Sequence, residues 1–181
     1  DANNWIAWSR MMSGMGEMRI ARCIKPATCV GCHTELHLFC DASEIGYGAV
    51  GYLRITATDG RIHCSFIVGK SKVAPVRQVT IPRLELMAAV LSTRIAVTLR
   101  RQMRMPIEAE YFWTDSMIVL QYIRNTTSRF QTFVANRVAT IHRNSEVSQW
   151  HHVRSASNPA DVASRGIDAN DMAGMKVGLT G

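Results

Sequence analysis

Hydrophobic and polar positions alternate from Glu35 onward. Leu36, Leu38 and Cys40 take one side of an extended segment, His37 and Phe39 the other, and the segment runs into Asp41. A period of two predicts a strand. Ala49-Val50-Gly51-Tyr52-Leu53-Arg54-Ile55 predicts a second, with Ile45-Gly46-Tyr47-Gly48 as a tight connection before it. Thr58-Asp59-Gly60 is a hairpin signal, because Asp and Gly tolerate tight-turn backbone angles, so 61–68 returns as a third strand. These three strands predict an antiparallel meander. Gly69-Lys70-Ser71-Lys72-Val73-Ala74-Pro75 then reads as a polar loop.

The period next lengthens to that of a helix. Thr80 and Pro82 mark an entry, since proline is tolerated in a first turn whose N–H groups have no partner. Leu84, Met87, Ala88, Leu91, Ile95 and Leu99 follow at helical spacing. Glu85 falls in the predicted first turn, where the helix dipole favours a carboxylate. Residues 110–114 predict a fourth strand ending at Asp115, with a helix following through Met117, Ile118, Leu120 and Tyr122. Phe130, Phe133, Val134, Arg137, Val138 and Ile141 predict another amphipathic helix, and 149–153 a fifth strand. A short final helix spans 158–165 and is stopped by Gly166. The order βββαβααβα predicts an α/β fold: a mixed five-stranded sheet, antiparallel in its first three strands and parallel later, flanked by helices. Upstream, Trp5, Trp8, Met12 and Met15 share one face of a short helix that docks on a neighbouring part of a parent protein, and about 20–35, with Pro26, reads as a linker.

Composition narrows the class. In 181 residues, 47% hydrophobic content fills the core of one domain. The net charge of +7, from 21 Lys+Arg against 14 Asp+Glu, suits a polyanionic substrate; plain solubility charge is the alternative. No apolar run is long enough to span a membrane, so no membrane partner is expected. The start, Asp1-Ala2-Asn3-Asn4, has neither Met nor a signal-peptide layout, and the chain reads as a piece of something longer. Five cysteines, an odd count, argue for an intracellular, reducing compartment. Cys29-Val30-Gly31-Cys32-His33 matches the attachment pattern of c-type haem, but nothing signals the secretory route that haem needs. Cys23, Cys29, Cys32 and His33 lack a second pair at zinc spacing, so chance cysteines in a linker are the preferred reading.

The candidate chemistry lies in Asp41, Glu85, Asp115 and Asp161, each set among apolar residues, a costly place for a charge without a partner. A single Asp at a strand end is more often a turn former or a cap, and Asp161, three residues after Asn158, suits a capped helix start. The joint pattern is more specific: acids end strands one and four, one lies in the first long helix and one in the last. Gathered at one point, they would need divalent cations to neutralise them.

The element order and these motifs resemble the ribonuclease H region of Pao/BEL-type LTR retrotransposon polyproteins. The residues that carry the resemblance are Phe39-Cys40-Asp41-Ala42-Ser43 with Gly46-Tyr47-Gly48-Ala49, Lys70-Ser71-Lys72-Val73-Ala74-Pro75, and Ile81-Pro82-Arg83-Leu84-Glu85-Leu86. Trp113-Thr114-Asp115-Ser116, Phe133-Val134-Ala135-Asn136-Arg137-Val138 and Asn158-Pro159-Ala160-Asp161-Val162-Ala163-Ser164-Arg165-Gly166 continue it. The resemblance covers roughly 35–167, leaving 1–34 as a helical segment and linker and 168–181 as a tail. It implies a ribonuclease H-like fold and a metal-dependent endonuclease that hydrolyses the RNA strand of RNA–DNA hybrids during reverse transcription. The implied cofactor is a pair of Mg²⁺ ions, with Mn²⁺ as a substitute. Asp41 would bridge both ions, Asp161 would help hold the one that generates the nucleophile, and Glu85 and Asp115 the one at the leaving 3′ oxygen. The implied partners are the hybrid, read by its 2′-hydroxyls and groove shape, and the neighbouring reverse transcriptase and integrase regions. The implied location is the cytoplasm or a virus-like particle.

The chain departs from cellular ribonucleases H in the loop after the fifth strand, where Arg154-Ser155-Ala156-Ser157 lacks their histidine; His151 and His152 lie on the strand itself, in a structural role. A basic protrusion is also missing, since 124–129 is short. An integrase-like triad of Asp41, Asp115 and Glu146 would put its third acid in a polar connection rather than a helix. An aspartic peptidase would need Asp-Thr/Ser-Gly, which neither Asp41-Ala42-Ser43 nor Asp115-Ser116 supplies. The stronger rival is a catalytically silent nucleic-acid-binding or structural domain of the same origin.

Overall fold

The computed structural model describes residues 31–125, 127 and 129–166, together with 5, 6, 9, 10 and 24. Residues 5, 6, 9 and 10 are helical, whereas Trp8, Met12, Met15, Pro26, Cys23, Cys29 and the tail lie outside the described residues. The strands are β1 (His33–Ala42), β2 (Gly46–Thr56), β3 (Ile62–Val73), β4 (Ala109–Thr114) and β5 (Trp150–His152). The helices are α1 (Ile81–Gln102), α2 (Met117–Arg124), α3 (Thr132–Asn144) and α4 (Asp161–Arg165). They form one mixed sheet in the order β3-β2-β1-β4-β5. The β1–β2 and β2–β3 pairs are antiparallel, and β1–β4 and β4–β5 are parallel, as the element order predicts.

Period-two alternation decides the faces. Leu36, Leu38 and Cys40 of β1 and Phe112 of β4 point into the core with at most 1% exposure. They meet α1, which packs over β1 and β2 and against α3. Phe112 stacks on Trp150 of β5 at 4.9 Å, and the buried indole N–H donates to Ser145 Oγ at 3.0 Å, which satisfies the one polar atom the ring brings inside. The opposite face carries the alternate set, His37, Phe39, Tyr111 and Trp113. His151 packs there against the rings of Trp113 and Tyr111, 5.0 and 5.7 Å away, while His152 is exposed opposite Thr114.

Five local expectations change. Gly46-Tyr47-Gly48 is not a turn: it opens β2, and the connection is Ser43–Ile45, closed by a Ser43 N–H to Gly46 carbonyl bond of 2.8 Å. The glycines are there because α4 lies on them; a Cβ on Gly48 would stand 2.7 Å from Ala163 Cβ. The expected polar loop 69–73 is strand, because it pairs residue by residue with Gly46–Val50. The final helix is shorter than 158–165, since Asn158 is the C-cap of a separate 3-10 turn at Ser155–Ser157 and α4 starts only at Asp161. Glu85 is the fifth residue of α1, past the first turn, so the helix dipole does not explain it. Cys32 is disulfide-bonded, a pairing the odd cysteine count did not suggest, while Cys40 and Cys64 are free.

Candidate active site

The C-terminal ends of β1 and β4 are parallel neighbours, with Cys40 opposite Thr114, so the residues that follow, Asp41 and Asp115, emerge side by side. Asp41 also pairs with Gly48, and it therefore shares the α4 side of the sheet. Asp161, the first residue of α4, lies on that side too. Glu85 rises from α1 on the other side, and Asp115 stands at the strand end between the two. The electrostatics follow this order: Asp41 senses Asp115 and Asp161, and Glu85 senses Asp115. The four sequence-predicted acids thus gather at one end of the sheet.

Hydroxyls hold two of them. Ser164 Oγ donates to Asp41 Oδ2, and Ser116 Oγ donates to Glu85 Oε2 at 2.5 Å. Ser116 also accepts from the Val119 N–H at 3.3 Å and so caps α2, which ties the start of that helix to the Glu85 carboxylate. Asp161 Oδ1 accepts from Arg165 Nε at 2.6 Å across one exposed helical turn. Asp115 Oδ1 is buried and has no hydrogen-bond partner among the described residues.

Asp41 is only 6% exposed. Burial pushes its carboxyl up from 3.8 to about 6; Ser164's hydrogen bond opposes this, and the nearby charges of Asp115 and Asp161 add to it. Burial likewise raises Glu85, against the Ser116 bond and with Asp115's help. Such a group stores repulsion that a cation would relieve. The donor set is all carboxylate oxygen, which suits a hard divalent ion, and the orphaned Asp115 oxygen leaves an acceptor to spare. These residues fit such an ion. As the side chains stand, no three His, Cys, Asp or Glu groups among the described residues are placed to hold a metal together. Cys40, below the acids, is no nucleophile, because burial pushes its thiol up to about 12.

The short α4 owes its position to polar ties the sequence motifs do not spell out. Asn158 Nδ2 donates to the Cys40 carbonyl at 3.1 Å, and its Oδ1 accepts from the Ala160 N–H at 3.1 Å. Ser43 and Ser71 hydroxyls donate to the Ser164 and Ala163 carbonyls at 2.7 and 2.6 Å, satisfying the open end of the helix. Ser116, directly before a helix, and Asn158, three residues before Asp161, carry a signal of their own, that of a helix cap. Glu146 is exposed, and its N–H donates to Gln149 Oε1 at 2.7 Å at the start of a 3-10 turn, away from the acids.

Three solved structures are similar to this chain at low identity. The N-terminal RNase H domain of a Mycobacterium tuberculosis protein, solved as a fusion with maltose-binding protein, is 14% identical, with 78% of this chain and 96% of that one covered and a TM-score of 0.48. RNase H1 of the halophilic archaeon Halobacterium salinarum is 12% identical over 78% and 98%, TM-score 0.46. LC11-RNase H1, in complex with an RNA/DNA hybrid, is 12% identical over 77% and 99%, TM-score 0.48. No curated protein matches the sequence. The family described as Pao retrotransposon-like RNaseH-like domain matches residues 1–116, a span that holds Asp41, Glu85 and Asp115 and ends before Asp161. With 116 of its 181 residues matched, the chain belongs to the Pao retrotransposon-like RNaseH-like domain family.

Proposed function

We propose that this domain is a ribonuclease H that cleaves the RNA strand of RNA–DNA hybrids within a retrotransposon polyprotein, during reverse transcription. The observation that carries the reading is the buried, proton-loving Asp41 between Asp115 and Asp161, with Glu85 joined to them through Asp115. Asp41, Glu85, Asp115 and Asp161 would hold two Mg²⁺ ions, or Mn²⁺. When bound, these ions supply Lewis-acid polarisation of the phosphodiester and a nucleophile at neutral pH. The chain's own residues would orient these acids: Ser164 bonds the Asp41 carboxylate, Ser116 bonds Glu85, and the Asn158 and Ser43 ties hold α4, which carries Asp161. The basic surface keeps the polyanion close. Neighbouring reverse transcriptase and integrase regions belong to the same proposal, as does the cytoplasm or a virus-like particle as its location.

A catalytically silent nucleic-acid-binding domain is the second reading. The observation that favours it is that no three of the acids are placed to share a metal as they stand. One experiment divides the two. Wild type should cut the RNA strand of a labelled hybrid in Mg²⁺ or Mn²⁺, and Asp41→Asn should lose cleavage by on the order of 10²-fold or more while still binding. Equal cleavage by both proteins would put the activity elsewhere. Binding without cleavage by wild type in either metal would establish the silent domain.

A further inference from the structure

On the face of the sheet opposite α1, one hydrogen bond fixes a protonation state. Trp113 Nε1 on β4 donates to His37 Nδ1 on β1 at 3.1 Å. An indole N–H can donate but not accept, so Nδ1 has to present its lone pair. His37 is therefore neutral while this bond lasts, with its one ring hydrogen on Nε2. The two ring planes lie 15° apart, which suits a bond made near the plane of both rings.

The surroundings agree with a neutral ring. Nε2 is buried and has no hydrogen-bond partner among the described residues. Glu35 Oε2 lies 3.6 Å away, too far for a hydrogen bond, and accepts from Arg54 Nη1 at 2.5 Å. The titratable and charged groups facing the imidazole are Glu35 on its own strand, Tyr52 and Arg54 on β2, Tyr111 on β4 and His151 on β5. Burial pushes His37 below its ordinary 6.5; Glu35 opposes this, and Arg54 and His151 reinforce it. A second proton, drawn from solvent in acid, has one place to go, the Nδ1 lone pair. Two N–H groups then face each other, and the Trp113 bond is lost. Trp113 stands two residues before Asp115 and stacks on Phe39 at 5.9 Å. Its carbonyl accepts from Cys40 Sγ at 3.4 Å, and Cys40 directly precedes Asp41. The indole is thus a tie between the two strands whose ends carry acids.

We propose that His37 and Trp113 form an acid-sensitive latch between β1 and β4: a neutral imidazole holds the indole, and a second proton releases it and loosens the end of β4 that carries Asp115. Its consequence for cleavage rests on the reading of Asp115 as part of the catalytic centre; the latch itself does not.

NMR of the 181-residue chain in EDTA tests the latch without cleavage. At pH 8 the histidine nitrogen shifts should show His37 as the Nε2–H tautomer. On acidification its imidazole and the Trp113 indole N–H should change together, with one midpoint below 6.5. Relative to the buried Trp150 N–H, the released indole N–H should exchange about tenfold faster, as one lost hydrogen bond implies. The backbone amides of Thr114 and Asp115 should quicken with it. His37→Asn puts an amide oxygen close to the place of Nδ1 and takes up no proton in this range, so at the same pH these groups should stay slow. Trp113→Phe assigns the indole signal and, by linkage, should bring the His37 pKa back toward 6.5, because protonation then breaks no bond. The proposal falls if neutral His37 carries its hydrogen on Nδ1, if the indole signal moves without the imidazole, or if the acid change persists in His37→Asn. It falls too if the change disappears in Asp41→Asn, since it would then belong to the carboxylates. Should His37→Asn fail to fold, the wild-type tautomer and the shared midpoint decide by themselves. A latch that opens in a domain that cuts no hybrid leaves this proposal standing and defeats the catalytic one.

Discussion

Replacing Asp41 by Asn in metal-free buffer should stabilise the fold at neutral pH and leave it nearly unchanged near pH 4. A carboxyl whose pKa is higher folded than unfolded holds its proton more tightly in the native state. Its contribution is complete below about 3.8 and is lost as pH rises through about 6. Above that, the native state carries a buried anion that also faces Asp115 and Asp161. A shift of about two units is worth about 3 kcal/mol at about 1.4 kcal/mol each. Asn removes the charge, keeps the volume, and offers its amide oxygen to the Ser164 hydroxyl that now serves Oδ2. The gain at pH 7–8 should therefore approach 3 kcal/mol as a ceiling, a rise of roughly 6–12 °C in Tm for a chain of this size. Thermal unfolding of wild type and Asp41→Asn in EDTA, from pH 4 to pH 8, reads it directly. Adding Mg²⁺ should then raise the wild-type Tm and narrow the gap, because a cation relieves the same repulsion. A Tm difference independent of pH, or an Asp41→Asn protein less stable than wild type at pH 8, would refute the reasoning.

Three further predictions concern the elements that place the acids. Gly48→Ala puts a methyl 2.7 Å from Ala163 Cβ and 2.9 Å from its carbonyl oxygen, so α4 must shift; about 1–3 kcal/mol of stability should be lost in urea unfolding, and cleavage should fall with it as Asp161 moves. Ser116→Ala removes both the cap of α2 and the donor to Glu85, costing about 1 kcal/mol and raising the Glu85 pKa further, which carboxylate NMR titration would detect. Phe112→Ala leaves a void beside Trp150 and should cost about 3–5 kcal/mol; a loss below about 1 kcal/mol in denaturant titration would mean that the sheet core collapses onto the gap.

The alternation of Leu36, Leu38 and Cys40 and the helical spacing from Leu84 to Leu99 determined which residues are strand, which are helix and which side faces the core. Periodicity is a local property, so those elements are where it places them. The same residues, with their motif context, were enough to name the acids at the ends of β1 and β4. Meaning that depends on a distant neighbour was hidden. Gly46 and Gly48 look like turn residues in isolation, and only the approach of α4, more than a hundred residues later, shows that they are a flat strand kept bare for a helix to lie on. The segment 69–73 looks like a polar loop because it is an exposed edge; its strand character comes from pairing with β2, since a ladder bond needs only a partner's backbone and no apolar side chain. Glu85 looks like a first-turn acid until the start of α1 at Ile81 puts it a turn further in, facing Ser116. The identity of the four acids is written locally, but their burial, their mutual repulsion and the hydroxyls that hold two of them exist only once β1 and β4 lie parallel and α4 folds back across the sheet, because charge–charge energy depends on distance in space rather than along the chain.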